Sequence, residues 1–116
     1  MNLDSVAKKW GYYQDLLRQR NLTIKTLTIL PGEKISNQKH FERTEKWYIL
    51  SGDGEAVLQH GNSIISIQLE TGTKFFVDLE VWHQVKANEG STLSILEIQE
   101  GKNCSEDDIE RKEDVL

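Results

Sequence analysis

The sequence predicts an all-β domain, either a β-sandwich or a small barrel, on three observations. The chain has 116 residues, which is enough for one hydrophobic core and too few for two. Its hydrophobic fraction of 37% excludes a disordered polymer. From Leu22 onward, short alternating runs are separated by glycine-rich turns, a pattern typical of sandwiches and barrels. We therefore divide the chain into an N-terminal lead segment (1–21), a barrel (22–101) and a tail (102–116).

The predicted strands begin with the run from Leu22 to Leu30, in which Thr and Lys alternate with Leu and Ile. Pro31-Gly32 then predicts a turn. Further strand candidates follow between glycine-containing turns: Lys34 to Phe41, Trp47 to Leu50, Glu55 to His60, Ser63 to Leu69, Lys74 to Val77, Val81 to Lys86 and Thr92 to Gln99. Alternation, rather than continuous apolar runs, indicates sheets that bury one face. The lead before them is predicted to be loosely structured.

The tail differs from the barrel in its charge. It carries six acids and three bases, more than half of the net charge of the whole chain. Ser105 followed by Asp107 and Asp108 fits the start of a helix, with Arg111 and Lys112 near the other end of its dipole. We therefore expect a short C-terminal helix.

Composition excludes several classes of partner and compartment. Lys and Arg total 14 against 19 Asp and Glu, a net charge of −5, which argues against nucleic acid or an anionic membrane as the main partner. No apolar run approaches the ~18 residues of a membrane span, and the first residues lack the order of a secretory signal. Cys104 is the single cysteine, so an internal disulfide is impossible and a reducing cytoplasm is expected.

Four side chains in the barrel have the spacing of a metal site. Gln38 and His40 are two residues apart in a predicted strand, so their side chains point to the same face. Glu45 begins the return strand after a turn and shares the inward face, and His83 is the candidate for a fourth ligand from a distant strand. Two imidazoles, a carboxylate and an amide oxygen suit Zn, Fe, Mn, Co or Ni. This set carries one negative charge, so a bound divalent ion would keep a net positive charge and could act as a Lewis acid.

Six short segments carry a more specific pattern. They are Trp10-Gly11-x-Tyr13, Pro31-Gly32-Glu33, Gln38-x-His40-x-x-Arg43-x-Glu45-x-Trp47, Ser51-Gly52, Glu97-Ile98-Gln99-x-Gly101 and Glu106-Asp107-Asp108-Ile109-x-Arg111-x-Glu113-Asp114. Together they resemble the cupin domain of type II mannose-6-phosphate isomerases, the domain fused behind mannose-1-phosphate guanylyltransferase in bifunctional enzymes. The resemblance extends from about Lys8 to Asp114, nearly the whole chain.

This resemblance implies a single-domain jelly-roll β-barrel. It implies a divalent metal held by Gln38, His40, Glu45 and His83, with Zn as the first choice. It also implies a sugar-phosphate ligand and a homodimer. On this basis we expect a metal-dependent isomerase that converts mannose 6-phosphate to fructose 6-phosphate through an enediol. Arg43 is the candidate catalytic residue, because its planar fork matches phosphate or enediolate oxygens. A salt bridge to a neighbouring glutamate is its alternative role.

The chain departs from the family motifs beside the predicted metal strand. The family has further histidines where this chain has Phe41 and Glu42, and another where it has Lys46. Its Pro-x-Gly turn before the last metal histidine is Asp78-Leu79-Glu80 here. The lost histidines motivate a rival function, a non-catalytic sugar or sugar-phosphate binding cupin. A third hypothesis is an iron-dependent cupin dioxygenase.

Overall fold

In the computed structural model, which describes residues 4–116, the chain forms eleven β-strands and no helix. The strands are β1 (Ser5–Lys8), β2 (Gly11–Arg18), β3 (Leu22–Ile29), β4 (Asn37–Lys39), β5 (Arg43–Ser51), β6 (Gly54–His60), β7 (Ser63–Leu69), β8 (Lys74–Val77), β9 (Trp82–Ala87), β10 (Leu93–Gly101) and β11 (Glu110–Lys112). No helix able to cross a membrane occurs in these residues. The all-β prediction is confirmed. The first three residues of the predicted lead lie outside the described residues.

Two antiparallel sheets enclose the core. The six-stranded sheet has the order β1-β2-β3-β10-β5-β8, and the five-stranded sheet has the order β11-β4-β9-β6-β7. Core residues come from both sheets, with Ile29, Trp47 and Ile95 from the first and Ala56 and Val85 from the second. The three central strands that line the core, β3, β10 and β5, alternate between buried and less buried residues over most of their length, as expected for a sheet with one face on the core.

The inward face of the larger sheet is apolar in one half and polar in the other. Inward residues of β3 and β10 pair as Ile29 with Leu93, Leu27 with Ile95, Lys25 with Glu97 and Thr23 with Gln99. On β5 the same change runs from Ile49 and Trp47 to Glu45 and Arg43. Because every one of these side chains is buried, the barrel interior has an apolar end and a polar end. The candidate site lies at the polar end.

The predicted lead contains two of the strands. β1 and β2 pair with each other, and β2 also pairs with β3, with an irregularity between Asp15 and Leu17. The sequence of β2 does not alternate cleanly, and half of it is exposed, so periodicity could not reveal it. The division into lead, barrel and tail stays a prediction.

The predicted C-terminal helix is wrong. Ser105 does start a turn, because its Oγ accepts a hydrogen bond from the Asp107 amide at 3.1 Å. The chain does not continue as a helix, since the Asp108 carboxylate accepts hydrogen bonds from the Phe41 and Glu42 amides instead. Residues 110–112 then pair with β4 as β11 and cover an otherwise open sheet edge.

Two segments named in the sequence analysis, Ser51-Gly52 and Asp78-Leu79-Glu80, contain a residue with positive φ. Gly52 has φ of 93°, and a Cβ there would lie 2.1 Å from the Thr92 carbonyl oxygen, so only glycine fits this turn. Glu80, in the segment that replaces the family's Pro-x-Gly turn, has φ of 59°. Its amide donates to the His40 carbonyl oxygen at 2.8 Å. The loop before His83 therefore keeps a left-handed residue although the glycine is absent.

Candidate metal centre

Three buried side chains bring their metal-binding atoms together at the polar end of the barrel. His40 follows β4, Glu45 lies in β5 and His83 lies in β9. Their ligand atoms all lie within 4.8 Å of one another. The Nε2 atoms of His40 and His83 each lie 3.3 Å from a different oxygen of the Glu45 carboxylate. One carboxylate therefore bridges two imidazoles, and we name this set the His-Glu-His triad.

Strand register places the triad. In β5, Arg43, Glu45 and Trp47 alternate with outward residues and so share the inward face. β4 pairs with β9, which puts Gln38 opposite His83. The candidate ligands therefore come from β5 of one sheet, from β9 of the other sheet, and from β4 together with the residue that follows it.

Backbone carbonyls fix the proton position on both imidazoles. His40 Nδ1 lies 2.7 Å from the Asp108 carbonyl oxygen, and His83 Nδ1 lies 3.0 Å from the Val81 carbonyl oxygen. A carbonyl oxygen only accepts, so each Nδ1 donates and each Nε2 keeps its lone pair. The buried Nε2 of His83 has no hydrogen-bond partner among residues 4–116. A buried unpaired acceptor beside a carboxylate fits a divalent ion, whose histidine ligands usually donate from the other nitrogen.

Gln38, the fourth predicted ligand, lies beside the triad. It is the register partner of His83, and its side chain lines the adjoining cavity. Its Nε2 donates to the Ser36 carbonyl oxygen at 3.3 Å. Its role as a ligand stays a prediction.

Arg43 links the triad to the cavity. Its Nε lies 2.9 Å from Glu45 Oε2, its Nη2 lies 3.3 Å from His40 Nε2, and its Nη1 donates to the Ser105 carbonyl oxygen at 3.1 Å. The side chain is buried and also lines the cavity, which the triad itself does not. Both predicted roles are thus compatible with one position: the guanidinium pairs with Glu45 and faces the ligand space. Its catalytic role stays a prediction.

The charges in the triad suit metal binding at neutral pH. Burial alone would raise the pKa of the Glu45 carboxyl, but positive charge around it, including the Arg43 guanidinium with its Nε 2.9 Å from Oε2, holds this pKa well below its usual range. Burial lowers the pKa of His40 to about 4, although the charge of Glu45 opposes the change. The carboxylate is therefore ionised and His40 is neutral near pH 7, as metal ligands must be.

A cavity of about 360 Å³ opens beside Arg43, Gln38 and Trp47. Its wall carries six cationic side chains and two carboxylic ones, which are Lys8, Lys9, Lys25, Lys34, Arg43, Arg111, Glu97 and Glu106. On a chain with a net charge of −5, this wall is locally rich in positive charge, which is the electrostatic character that attracts anions.

Sequence analysis missed Lys25 and Glu97, which face each other in the cavity wall. They are register partners, and Lys25 Nζ lies 3.8 Å from Glu97 Oε2 and 3.0 Å from Glu106 Oε1. Burial, together with the charge of Glu45, raises the pKa of Glu97 well above its usual range. The sequence did carry a signal for them. Lys25 and Glu97 lie on the same inward side of their strands as Leu27 and Ile95, where a charged residue is unusual.

Several bacterial proteins are similar in sequence to this chain over almost its whole length. Xanthan biosynthesis protein XanB of Xanthomonas campestris pv. campestris (strain B100) is 31% identical over 94% of this chain. Alginate biosynthesis protein AlgA of Pseudomonas aeruginosa PAO1 is 32% identical over 95% of it. A mannose-1-phosphate guanylyltransferase of Salmonella muenchen is 32% identical over 93% of it. The chain spans only 22% of the length of each of these relatives.

Solved structures confirm the jelly-roll cupin fold. The capsular polysaccharide assembling protein CapF from Staphylococcus aureus superposes with a TM-score of 0.82 at 17% identity, covering 98% of this chain and 33% of that one. Oxalate decarboxylase from Bacillus subtilis superposes with a TM-score of 0.78 at 16% identity, covering 95% of this chain and 30% of that one. At these identities the similarity shows the fold alone.

The relatives correct the predicted function. They are named for guanylyl transfer and for xanthan or alginate biosynthesis, and none of the three names is that of an isomerase. The prediction that this chain converts mannose 6-phosphate to fructose 6-phosphate is therefore wrong as a statement of its activity. That expectation rested on the spacing of Gln38, His40, Glu45 and His83 and on the resemblance over nearly the whole chain, and neither observation tests an activity.

Membership of the family, by contrast, rests on the full length of the chain. The family model described as "Mannose-6-phosphate isomerase C-terminal" matches residues 2–114, which include the triad, Arg43 and the tail. The predicted resemblance to that cupin domain is confirmed. The chain belongs to the mannose-6-phosphate isomerase C-terminal family of cupins.

Proposed function

We propose that this chain is a metal-binding cupin domain of sugar metabolism, which binds a phosphorylated sugar in the cavity beside a divalent ion. The observation that carries the proposal is the His-Glu-His triad, with the buried Nε2 of His83 unpaired beside the Glu45 carboxylate. The family and the sugar-related names of the relatives support the choice of ligand class.

We assign the metal ligands to His40, Glu45 and His83, with Gln38 beside them. The donor set is nitrogen and oxygen with one negative charge, which suits Zn²⁺ and also Mn, Co, Fe or Ni. A bound divalent ion supplies Lewis-acid polarisation of a ligand oxygen. Glu45 is already ionised and His40 already neutral, so binding the ion requires no proton loss from either.

The phosphate of the ligand binds to cations at the cavity wall. Lys25 is paired with Glu106, and Lys34 with Asp114. Lys8, Lys9 and Arg111 line the same wall, and none of the three has an ion pair within residues 4–116. These three side chains are therefore the ones available to an incoming phosphate, since they lose no ion-pair partner.

Arg43 holds the sugar end of the ligand next to the triad. Its guanidinium is fixed by Glu45 and the Ser105 carbonyl oxygen, so it loses little side-chain entropy when it binds a ligand oxygen. Its position between the triad and the cavity supports contact with the sugar oxygens rather than with the distant phosphate.

A homodimer and a cytoplasmic location complete the proposal. Tyr12, Leu50 and Phe76 are exposed on strands of the six-stranded sheet, and they supply apolar surface for a second copy. A single elution position of the purified protein at monomer mass, over the micromolar range, would exclude the dimer.

The proposed cytoplasmic location rests on the cysteine content, since the chain has one cysteine, Cys104, and so forms no internal disulfide.

Metal titration of the purified protein tests the proposal. We expect one ion per chain by elemental analysis and calorimetry with Zn²⁺, Mn²⁺ or Co²⁺. His83→Ala removes one ligand and should weaken binding by at least roughly 100-fold, more than loss of a supporting contact. His60→Ala is the matched control, because His60 is an exposed histidine in the hairpin between β6 and β7.

The two variants separate a specific site from weak surface binding. Equal loss of affinity in His60→Ala and His83→Ala would contradict the assignment of the triad. Folded wild-type protein that binds none of Zn, Mn, Co, Fe or Ni would refute the proposed function.

A further inference from the structure

We propose that residues 105–108, which we name the strap, complete the metal centre, and that Asp108 is its positioning residue. The inference rests on the proposed function, since the strap acts on a metal ligand. Three of its four residues, Ser105, Glu106 and Asp108, contact side chains and amides that precede them by more than sixty positions. The strap is therefore a long-range part of the site, although it contributes no ligand of its own.

Asp108 holds His40 from two directions. Its carbonyl oxygen accepts the hydrogen bond from His40 Nδ1 at 2.7 Å. Its carboxylate accepts from the Phe41 amide at 3.0 Å and from the Glu42 amide at 2.9 Å. The backbone immediately after His40 and the imidazole of His40 are thus fixed by one residue. Charged acceptors on backbone amides are among the stronger hydrogen bonds in proteins.

Ser105 and Glu106 extend the same contacts into the cavity. The Ser105 carbonyl oxygen accepts from Arg43 Nη1 at 3.1 Å. Glu106 Oε1 accepts from Lys25 Nζ at 3.0 Å and from Arg18 Nη2 at 2.8 Å. These charges hold the pKa of Glu106 below its usual range, against the effect of burial. The strap therefore orients the arginine that faces the ligand as well as the histidine that faces the metal.

The strap is anchored at its start by a buried residue. Cys104 is 1% exposed, and its amide donates to the Arg20 carbonyl oxygen at 2.8 Å. Within the strap, the Asp108 amide donates to the Ser105 carbonyl oxygen at 3.1 Å, which closes a turn. A turn fixed at both ends can hold its carbonyl oxygen in one place, as an orienting hydrogen bond requires.

Removal of the Asp108 carboxylate has a defined consequence. The Phe41 and Glu42 amides lose their acceptor, and the Asp108 carbonyl oxygen that fixes His40 loses the restraint that these two hydrogen bonds supply. The His40 ring then populates both neutral tautomers, and part of the protein presents a protonated Nε2 to the metal. Loss of such a supporting contact typically weakens metal binding by about 10–100-fold.

Histidine NMR of the metal-free protein is the first readout. In wild type we expect ¹⁵N shifts of His40 that correspond to one tautomer, protonated at Nδ1. Asp108→Ala should give averaged shifts and faster amide exchange at Phe41 and Glu42. Asp107→Ala is the matched control, because it removes the same charge from the neighbouring exposed residue. It should leave both signals unchanged.

Metal binding is the second readout. Zn²⁺ affinity should fall about 10–100-fold in Asp108→Ala and change less than about twofold in Asp107→Ala. The Co²⁺ absorption spectrum should also change in Asp108→Ala, since the ligand geometry changes. Asp108→Asn keeps one acceptor oxygen and should fall between these values, and it serves as the test if the alanine variant does not fold.

The two readouts test the role of the strap separately from the proposed function. An Asp108→Ala protein that retains a single His40 tautomer would overturn the role proposed for Asp108. So would an Asp108 variant with wild-type Zn²⁺ affinity. Wild-type protein that binds no metal would refute the proposed function, and the tautomer measurement would still decide whether Asp108 positions His40.

Discussion

His40 shows how a single side chain combines structural and chemical requirements. One ring nitrogen is bonded to a carbonyl oxygen of the tail, and the other faces a carboxylate and a guanidinium. Burial favours the neutral ring, with the pKa lowered to about 4. The folded protein therefore resists protonation at a position that the unfolded chain protonates near pH 6.5.

This difference predicts acid destabilisation of the metal-free protein. Because the folded pKa is lower than the unfolded one, the contribution of His40 to stability is complete above pH 6.5 and is lost as the pH falls to about 4. The loss is on the order of 3 kcal/mol in the free energy of unfolding. Urea denaturation at pH 7, 5.5 and 4, in the presence of a chelator, measures it.

The control for this prediction is His40→Gln, since Glu97 titrates in the opposite direction. Its raised pKa gives a contribution that is lost as the pH rises through the folded value. The difference between wild type and His40→Gln cancels the effect of Glu97. A difference that stays constant between pH 7 and pH 4 would contradict the assignment.

At single positions, sequence predicted the candidate ligands and missed the residues that support them. Spacing gave a common direction for Gln38, His40 and Glu45, and His83 was the candidate from a distant strand. Asp108 could not be found in this way, because its contacts depend on where the tail crosses the barrel. Its charge fitted a helix start equally well.

Among the elements, the tail depends most on tertiary contacts. β11 has three residues, all of them charged, and pairs only with the short β4. Beyond it, the chain is held by Gln84, a fully buried side chain of β9. Gln84 Oε1 accepts from the Val115 and Leu116 amides, and its Nε2 donates to Asp114 Oδ1 and to the Ile35 carbonyl oxygen.

Gln84→Ala should therefore release the end of the tail. We expect the free energy of unfolding to fall by about 2–3 kcal/mol, because the buried Ile35 carbonyl oxygen loses its side-chain donor and a cavity remains. Urea denaturation measures the loss, and hydrogen exchange should show lower protection at Val115 and Leu116.

Gln68→Ala is the matched comparison, since Gln68 is an exposed glutamine of β7. Its stability should change by less than about 0.5 kcal/mol. Equal effects of the two substitutions would contradict a specific role for Gln84 in holding the tail.

Elements were predictable where alternation was strong and local. The bounds of β7 and β8 agree with the sequence prediction, and β3 differs by one residue. β11 was missed because its charged triplet has no strand preference of its own and forms by covering β4. The predicted helix failed for the same reason, since its first-turn acids found amide partners elsewhere in the barrel.

For the whole molecule, charge is distributed unevenly. The chain is acidic overall, whereas the cavity wall has three times as many cationic as carboxylic side chains. The acidic tail lies against this wall. Glu106 pairs with Lys25, and Asp114 pairs with Lys34, so two of the cavity lysines have a carboxylate partner in the tail. Such a concave cationic surface attracts small anions without attracting polyanions to the rest of the protein.

Arg111→Gln should weaken binding of hexose 6-phosphates by about tenfold, because one charge-assisted contact with the phosphate is lost. Binding of the same hexoses without phosphate should not change. Calorimetry of metal-loaded protein measures both, and wild-type affinity for the phosphates should fall as salt is raised.

Lys46→Gln provides the comparison for this substitution. Lys46 is exposed on the other side of β5, so the same charge is removed far from the cavity. Similar loss of affinity in both variants would indicate a general charge effect and contradict a phosphate contact at Arg111.

The pairing of Lys25 with Glu97 across β3 and β10 also constrains how the domain can diverge. The two charged groups lie 3.8 Å apart in buried positions where a lone charge would be costly. Replacement of one member should therefore favour replacement of the other. Related domains should show covariation at this pair, whereas positions at the apolar end should exchange one aliphatic residue for another independently.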